Sequence, residues 1–295
     1  AGCKATLLAK EFETPLFVLD EADFRSRASS WKGALHRHFG ENAGEVYYAA
    51  KSFICVEVAK MIKESGIGID VCTGGELAVA LAADFPTDRI ELHGNNKSLS
   101  EIEEAIKLGV SRIVVDSIQE INRVQETASR LGKNQKVLIR ITPGVEAHTH
   151  EAISTAHEDV KFGLSIATGA AWKAIELIEA SSNLSLQGFH CHIGSQIFNT
   201  EGYEIAIKRI VELNAKFRDS FNRELSEFDI GGGFGIAYLP DETTMDPDTT
   251  LAKLSKVIKT EFANKKLALP KISIEPGRAI SGPTTTTIYE VGTTK

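Results

Sequence analysis

Cysteine is scarce in this chain of 295 residues, and its four copies, Cys3, Cys55, Cys72 and Cys191, lie far apart without a Cys-x-x-Cys pair. That spacing argues against a zinc knuckle or a disulfide scaffold and makes a reducing cytoplasm the expected setting. Long apolar runs are missing too: Leu7-Leu8-Ala9 stops at Lys10, which is too short for a signal segment or a membrane span. Positive charge is in deficit. With 33 Lys and Arg against 40 Asp and Glu, the net charge of −7 gives no footprint for nucleic acid and no basic face for a membrane. Internal repeats and low-complexity linkers are absent as well. What remains, 42% hydrophobic and 25% charged residues, is an ordinary globular composition, long enough for one large domain or two smaller ones.

From Val46 to Ile274, short β-rich runs alternate with amphipathic helical segments. The periodicity predicts strands at Val46–Ala50, Ile67–Val71, Ile90–Leu92, Arg112–Val115, Val137–Ile141, Leu186–His192, Phe228–Ile230 and Ile272–Glu275. A helix over Glu21–Phe39, with Asp20 as its N-cap, precedes them. Eight strands interleaved with helices predict an α/β fold of the TIM-like (β/α)8 type rather than an open doubly wound sheet. Leu16–Leu19 and Thr284–Val291 read as strands outside the barrel with no evident partner. An isolated strand is marginal, so the second of them reads as the start of an incomplete C-terminal β domain. The expected division is 1–20 as an N-terminal segment, 21–280 as the barrel and 281–295 as the start of that domain.

In such a barrel, reacting groups belong at the carboxyl ends of the strands. Lys51 ends the first barrel strand, where partial desolvation would lower its pKa toward nucleophilic use; the plain alternative is a surface lysine. The run Asp229-Ile-Gly-Gly-Gly-Phe-Gly lets backbone N–H groups approach a phosphate, or simply makes a tight turn. It is not a dinucleotide fingerprint, because Ile236 stands where the last glycine is required. Glu275-Pro-Gly-Arg278 supplies a carboxylate that could keep a heteroaromatic nitrogen protonated and a guanidinium that could grip an anion; a surface ion pair is the plainer reading. His190 and His192 alternate onto one strand face and could share a metal, but no histidine follows them to complete the set, so no metal is expected. His148, His150 and His157 lie in a long segment after the fifth strand, His93 reads as a hydrogen-bonded strand end, and Glu101, Glu103 and Glu104 read as a solvated helix face.

Taken together, Tyr48-Ala-Ala-Lys51, Asp70-Val-Cys-Thr-Gly-Gly-Glu-Leu77, His93-Gly-Asn-Asn-Lys97, Lys161-Phe-Gly163, Gly188-Phe-His-Cys-His-Ile-Gly-Ser-Gln196, Asp229-Ile-Gly-Gly-Gly233 and Glu275-Pro-Gly-Arg278 resemble the diaminopimelate decarboxylases, fold-type III pyridoxal-phosphate enzymes. The resemblance runs in the family's order from about Thr14 to the end. It implies a (β/α)8 barrel followed by a β domain, a homodimer, and conversion of meso-2,6-diaminopimelate to L-lysine and CO2 with pyridoxal 5'-phosphate. Carried over, Lys51 would bond to the cofactor aldehyde, His192 would stack on its ring with Ser195 nearby, and Glu275 would pair with the ring nitrogen. Gly231, Gly232, Gly233, Gly277 and Arg278 would surround the phosphate, with Arg278 also facing substrate; Asp70 and Arg140 would support Lys51. The family's Cys-Glu-Ser-Gly-Asp motif and phosphate-binding tyrosine have no counterpart here, so the chain reads as a fragment deficient in turnover. The resemblance leaves room for a related basic-amino-acid or carboxynorspermidine decarboxylase and for a cofactor-binding barrel without catalysis. Glu275 argues against an alanine-racemase-like enzyme, which would carry arginine at the ring nitrogen.

Overall fold

Runs such as Arg112-Ile-Val-Val115 bury three of four side chains without alternating, as strands covered on both faces do. In the computed structural model, which describes residues 2–41, 44–145 and 161–295, these runs become the staves of a barrel. The chain proceeds through α1 (Ala5–Phe12), β1 (Leu16–Leu19), α2 (Glu21–Phe39), β2 (Gly44–Ala49), α3 (Val56–Glu64), β3 (Gly68–Val71), α4 (Gly74–Ala82) and β4 (Ile90–Leu92). It continues through α5 (Leu99–Leu108), β5 (Arg112–Val115), α6 (Ile118–Arg130), β6 (Gln135–Thr142), β7 (Leu164–Ser165), α7 (Ala170–Glu179) and β8 (Leu184–His190). The remainder is α8 (Glu201–Phe221), β9 (Glu227–Asp229), α9 (Pro247–Asn264), β10 (Lys271–Ile274), α10 (Arg278–Ser281) and β11 (Thr285–Ile288).

The barrel order is β2-β3-β4-β5-β6-β8-β9-β10, all neighbours parallel, and the pairing of β10 with β2 closes the ring. The two-residue β7 pairs outside the ring with the end of β6. Each of the eight strands expected from periodicity is present. Helix starts are written locally: Asp20, Thr73, Ser98, Ser117 and Asp246 each accept a bond from the backbone N–H three residues on. Glu101 departs from the expectation of a solvated face. It completes the capping box with Ser98 and accepts the Gly74 N–H at 2.7 Å, tying α5 to α4.

The two extra strands also depart from expectation, since each is the other's partner. β1 and β11 pair antiparallel from Leu16 opposite Ile288 to Leu19 opposite Thr285, and the Asp20 N–H donates to the Thr284 carbonyl at 2.8 Å. Segments 1–20 and 281–295 therefore meet in one small sheet beside the barrel. Their pairing was invisible to local pattern because the partners lie at opposite ends of the sequence.

An aromatic stack fixes the glycine run. Trp31 of α2 stacks on Phe234 at 4.4 Å between centroids, Tyr203 of α8 lies over the same ring at 5.7 Å, and the Tyr203 hydroxyl donates to the Gly232 carbonyl at 2.8 Å. All three rings are buried. Two helices far apart in sequence thus grip one loop at the carboxyl end of the barrel. Tyr203→Phe removes only that buried hydroxyl and should lower unfolding free energy by about 1 kcal/mol in a denaturant titration with an unchanged slope. An unmoved midpoint would show that the bond does not hold the loop.

Candidate active site

The carboxyl ends of the strands open onto a cavity of about 570 Å³ lined by Lys51, His192, Ser195, Gly233, Glu275, Gly277 and Arg278, with Ala49, Ser52 and Tyr238 beside them. Residues from four parts of the chain converge there because a parallel barrel puts every strand's carboxyl end at one mouth.

Lys51 sits on a single 3-10 turn, Ala50–Ser52, that ends β2. Ser52 pins the turn by donating to the Ala49 carbonyl at 2.8 Å and to the Tyr48 hydroxyl at 3.0 Å, while Tyr48 donates to the Phe53 carbonyl at 2.7 Å. The expected lowering of the Lys51 pKa does not occur. Burial does pull it down, but the carboxyls of Asp70 and Glu275 outweigh that pull and leave it above the usual lysine value. The cause is electrostatic: an amine aimed at carboxyls is held as a cation.

His192 follows β8, and its Nδ1 accepts the Gly232 N–H at 3.4 Å, which leaves the ring proton on Nε2. Burial first, then the Lys51 and Arg140 charges, push its pKa down to about 3, so the imidazole is neutral. Cys191 is buried and does not line the cavity.

The glycine run makes the tight turn expected of it. A Cβ on Gly231 would fall on the Cys191 carbonyl, one on Gly232 on the Glu275 carbonyl, and one on Gly233 on the Gly194 carbonyl. Gly231 and Gly233 also have φ of 73° and 100°, where side chains are strained. Gly231 spends its N–H on Asp229 Oδ1 at 2.6 Å and Gly232 spends its own on His192. Both are buried, and of the three glycines only Gly233 lines the cavity. Gly277 begins α10, and the Arg278 guanidinium donates to the Tyr238 hydroxyl at 3.0 Å across the cavity.

Below the cavity the barrel holds four buried carboxyls, Asp70, Glu91, Asp229 and Glu275. Burial and the neighbouring Glu275 push Asp70 up to about 7 and hold Glu91 and Asp229 well above the usual carboxyl range. Glu275 goes the other way: burial would raise it, but His190, His93 and Lys51 bring it well below. It is the ionised member of the group. Arg140 lies 3.8 Å from Asp116 with its guanidinium 4.5 Å over the Phe162 ring, and its charge reaches both Lys51 and His192.

His190 does not turn toward the cavity that His192 lines. It turns into the barrel, where its Nε2 is 3.3 Å from Glu275 Oε2. His93, expected as a hydrogen-bonded strand end, places Nε2 3.1 Å from Glu275 Oε1. These are acid–imidazole contact distances. His148, His150 and His157 lie outside the described residues.

A family profile described as "Pyridoxal-dependent decarboxylase, pyridoxal binding domain" matches residues 21–282. The diaminopimelate decarboxylase of Mycobacterium tuberculosis (strain ATCC 25618 / H37Rv) is 52% identical over all of this chain and 66% of its own length. That of Bacillus methanolicus is 38% identical over 100% of this chain and 68% of its own length. The crystal structure of the M. jannaschii diaminopimelate decarboxylase with L-lysine superposes with a TM-score of 0.87 at 31% identity, covering 97% of this chain and 66% of that one. The chain belongs to the diaminopimelate decarboxylase family of pyridoxal-dependent decarboxylases. It spans about two thirds of the length of these relatives.

The residues present fit the cofactor this family uses. A lysine for an aldehyde, a neutral imidazole face, a buried carboxylate with Oε1 unsatisfied, and a glycine-lined corner with an arginine surround one cavity. Ser52, Tyr238, His93 and His190 were not foreseen as parts of this family's site. Of these, His190 carried a signal, since strand alternation puts it on the His192 face, and His93 stood at a strand end.

Because a lysine reacts with an aldehyde only as the neutral amine, uptake of pyridoxal phosphate at Lys51 should quicken as pH rises from 7 toward the raised Lys51 pKa. Asp70→Asn removes the largest raising influence and should speed uptake at pH 7.5. Stopped-flow absorbance checks this; a pH-independent rate, or an unchanged rate in the variant, would contradict it.

Proposed function

We propose that this chain is the cofactor-binding barrel, residues 21–280, of an enzyme that decarboxylates meso-2,6-diaminopimelate to L-lysine and CO2. The observation that carries the reading is the meeting of Lys51, His192 and Glu275 around one cavity in a chain whose relatives bear that activity in their names. Bound there, pyridoxal phosphate supplies an electron-accepting ring for the electron pair left at Cα when CO2 departs.

The chain's own residues supply the rest. Lys51 would supply the amine that holds the aldehyde. His192, neutral and with Nδ1 bonded by Gly232, would offer a flat face to the ring with Ser195 beside it. Glu275 would hold a proton at the ring nitrogen, which would make the ring a better electron acceptor. Gly233 and Gly277, with Gly231 and Gly232 shaping the turn, form the corner proposed for the phosphate. Arg278, held by Tyr238, is placed to meet a substrate carboxylate. The exposed rings of Phe198 and Tyr238, the latter at the cavity mouth, support a homodimer in which a second copy would cover that mouth. Free cysteines throughout the described residues fit a cytoplasmic protein, and no helix among those residues is long and apolar enough to cross a membrane.

The test places the barrel in a chain of its relatives' full length, loads it with pyridoxal phosphate and offers meso-diaminopimelate, L-lysine and L-ornithine separately. CO2 and L-lysine from the first alone support the proposal. CO2 from either of the others would replace the substrate, and cofactor uptake without CO2 from any would make this a binding barrel. In active enzyme, Glu275→Gln should keep the cofactor but slow CO2 release about 100-fold or more. An unchanged rate would remove Glu275 from the ring nitrogen.

A further inference from the structure

Glu275 directly follows β10, yet its two oxygens are met by side chains from the ends of β4 and β8, three and two places away around the ring. His190 Nε2 donates to Oε2 at 3.3 Å, and His93 Nε2 stands 3.1 Å from Oε1 without hydrogen-bond alignment. The two imidazoles meet edge to face at 5.0 Å, and each is no more than 3% exposed. His93 also lies 3.7 Å from Glu91 Oε2 and 3.8 Å from Asp70 Oδ1, so it is the hub around which three buried carboxyls gather.

An ionised carboxylate this deep needs donors, or it takes up a proton. From β2 comes the Lys51 ammonium, from β6 the Arg140 charge reaches the histidines, and from β3, β4 and β9 come Asp70, Glu91 and Asp229. Glu91 and Asp229 favour their protonated forms, Asp70 is raised to about 7, and burial makes both imidazoles neutral. A neutral imidazole carries one N–H. For His190 it must be on Nε2 to serve Oε2, and this agrees with an Nδ1 that meets nothing. For His93 the same tautomer puts an N–H beside Oε1, the oxygen left open for a partner.

We propose that His93 and His190 are positioning residues that act as neutral Nε2–H donors, clamp the Glu275 carboxylate from two strands, and keep it ionised with Oε1 presented to the cofactor ring nitrogen. His190 anchors one oxygen; His93 screens the other from the acids below and yields to the ring when the cofactor is bound. The proposal rests on the reading of Glu275 as the ring-nitrogen partner, and the two fail in different ways.

The first measurement needs no cofactor. Imidazole nitrogen NMR of the chain, with single His93→Gln and His190→Gln variants used only to assign signals, should show Nε2–H tautomers at both positions and no titration between pH 6 and 8. An Nδ1–H tautomer or a titrating signal at either position overturns the clamp. The second uses cofactor labelled with nitrogen-15 in its ring. The ring nitrogen should be protonated at pH 7 in the unaltered chain, and its pKa should fall by about one unit or more in His93→Leu and His190→Leu. His190→Gln, which retains an N–H donor, should restore most of the loss. A ring nitrogen still fully protonated in both leucine variants would overturn the clamp and leave Glu275 in place. A ring nitrogen still protonated in Glu275→Gln would instead overturn the reading of Glu275 itself.

Discussion

The carboxylate of Glu275 is 3% exposed and ionised, and keeping it so organises the open end of the barrel. Water would stabilise such a charge at little cost; inside the barrel, His190, His93 and Lys51 must do so. No local stretch of chain could assemble these groups. They sit at the ends of β10, β8, β4 and β2, and only closure of the ring brings them within reach. The same charge acts on its neighbours. It raises the pKa of Asp70, Glu91 and Asp229 and helps hold Lys51 as a cation, so the protonation of the whole floor is tied to one group.

Packing around the glycine run is equally constrained. Strand ends converge so closely that Gly231, Gly232 and Gly233 have carbonyl oxygens where a Cβ would stand. Three glycines in a row would be a loose segment elsewhere, because glycine loses most freedom on ordering. Here Trp31, Phe234 and Tyr203 provide the stiffness that the run lacks, and the backbone is fixed by what packs behind it. Rigidity of this kind is what a site needs if backbone N–H groups and a neutral His192 are to face a ligand in one arrangement.

Much of this was legible in the residues. Fully buried strands such as Ile113–Val115 announce themselves as apolar runs, helix starts carry their caps, and Lys51, His192 and Glu275 stand at strand ends within family motifs. The misses share a cause. The pairing of β1 with β11 joins the two ends of the described chain, and the sequence pattern contains no register for it. The charge on Lys51 depends on Asp70 and Glu275, contributed by strands on either side of its own. His93 and His190 looked like a strand-end residue and half of a metal pair, because their common neighbour is Glu275, 182 and 85 positions later. Local pattern predicts what a residue is attached to; the ring decides what it faces.

The proposed function places the covalent anchor of a pyridoxal-phosphate site at Lys51, at the mouth of this barrel. Loading the chain with pyridoxal phosphate, reducing it with borohydride and mapping its peptides tests this directly. A single pyridoxyl group on Lys51 is expected, while a label on any other lysine, or none at all, would contradict that assignment.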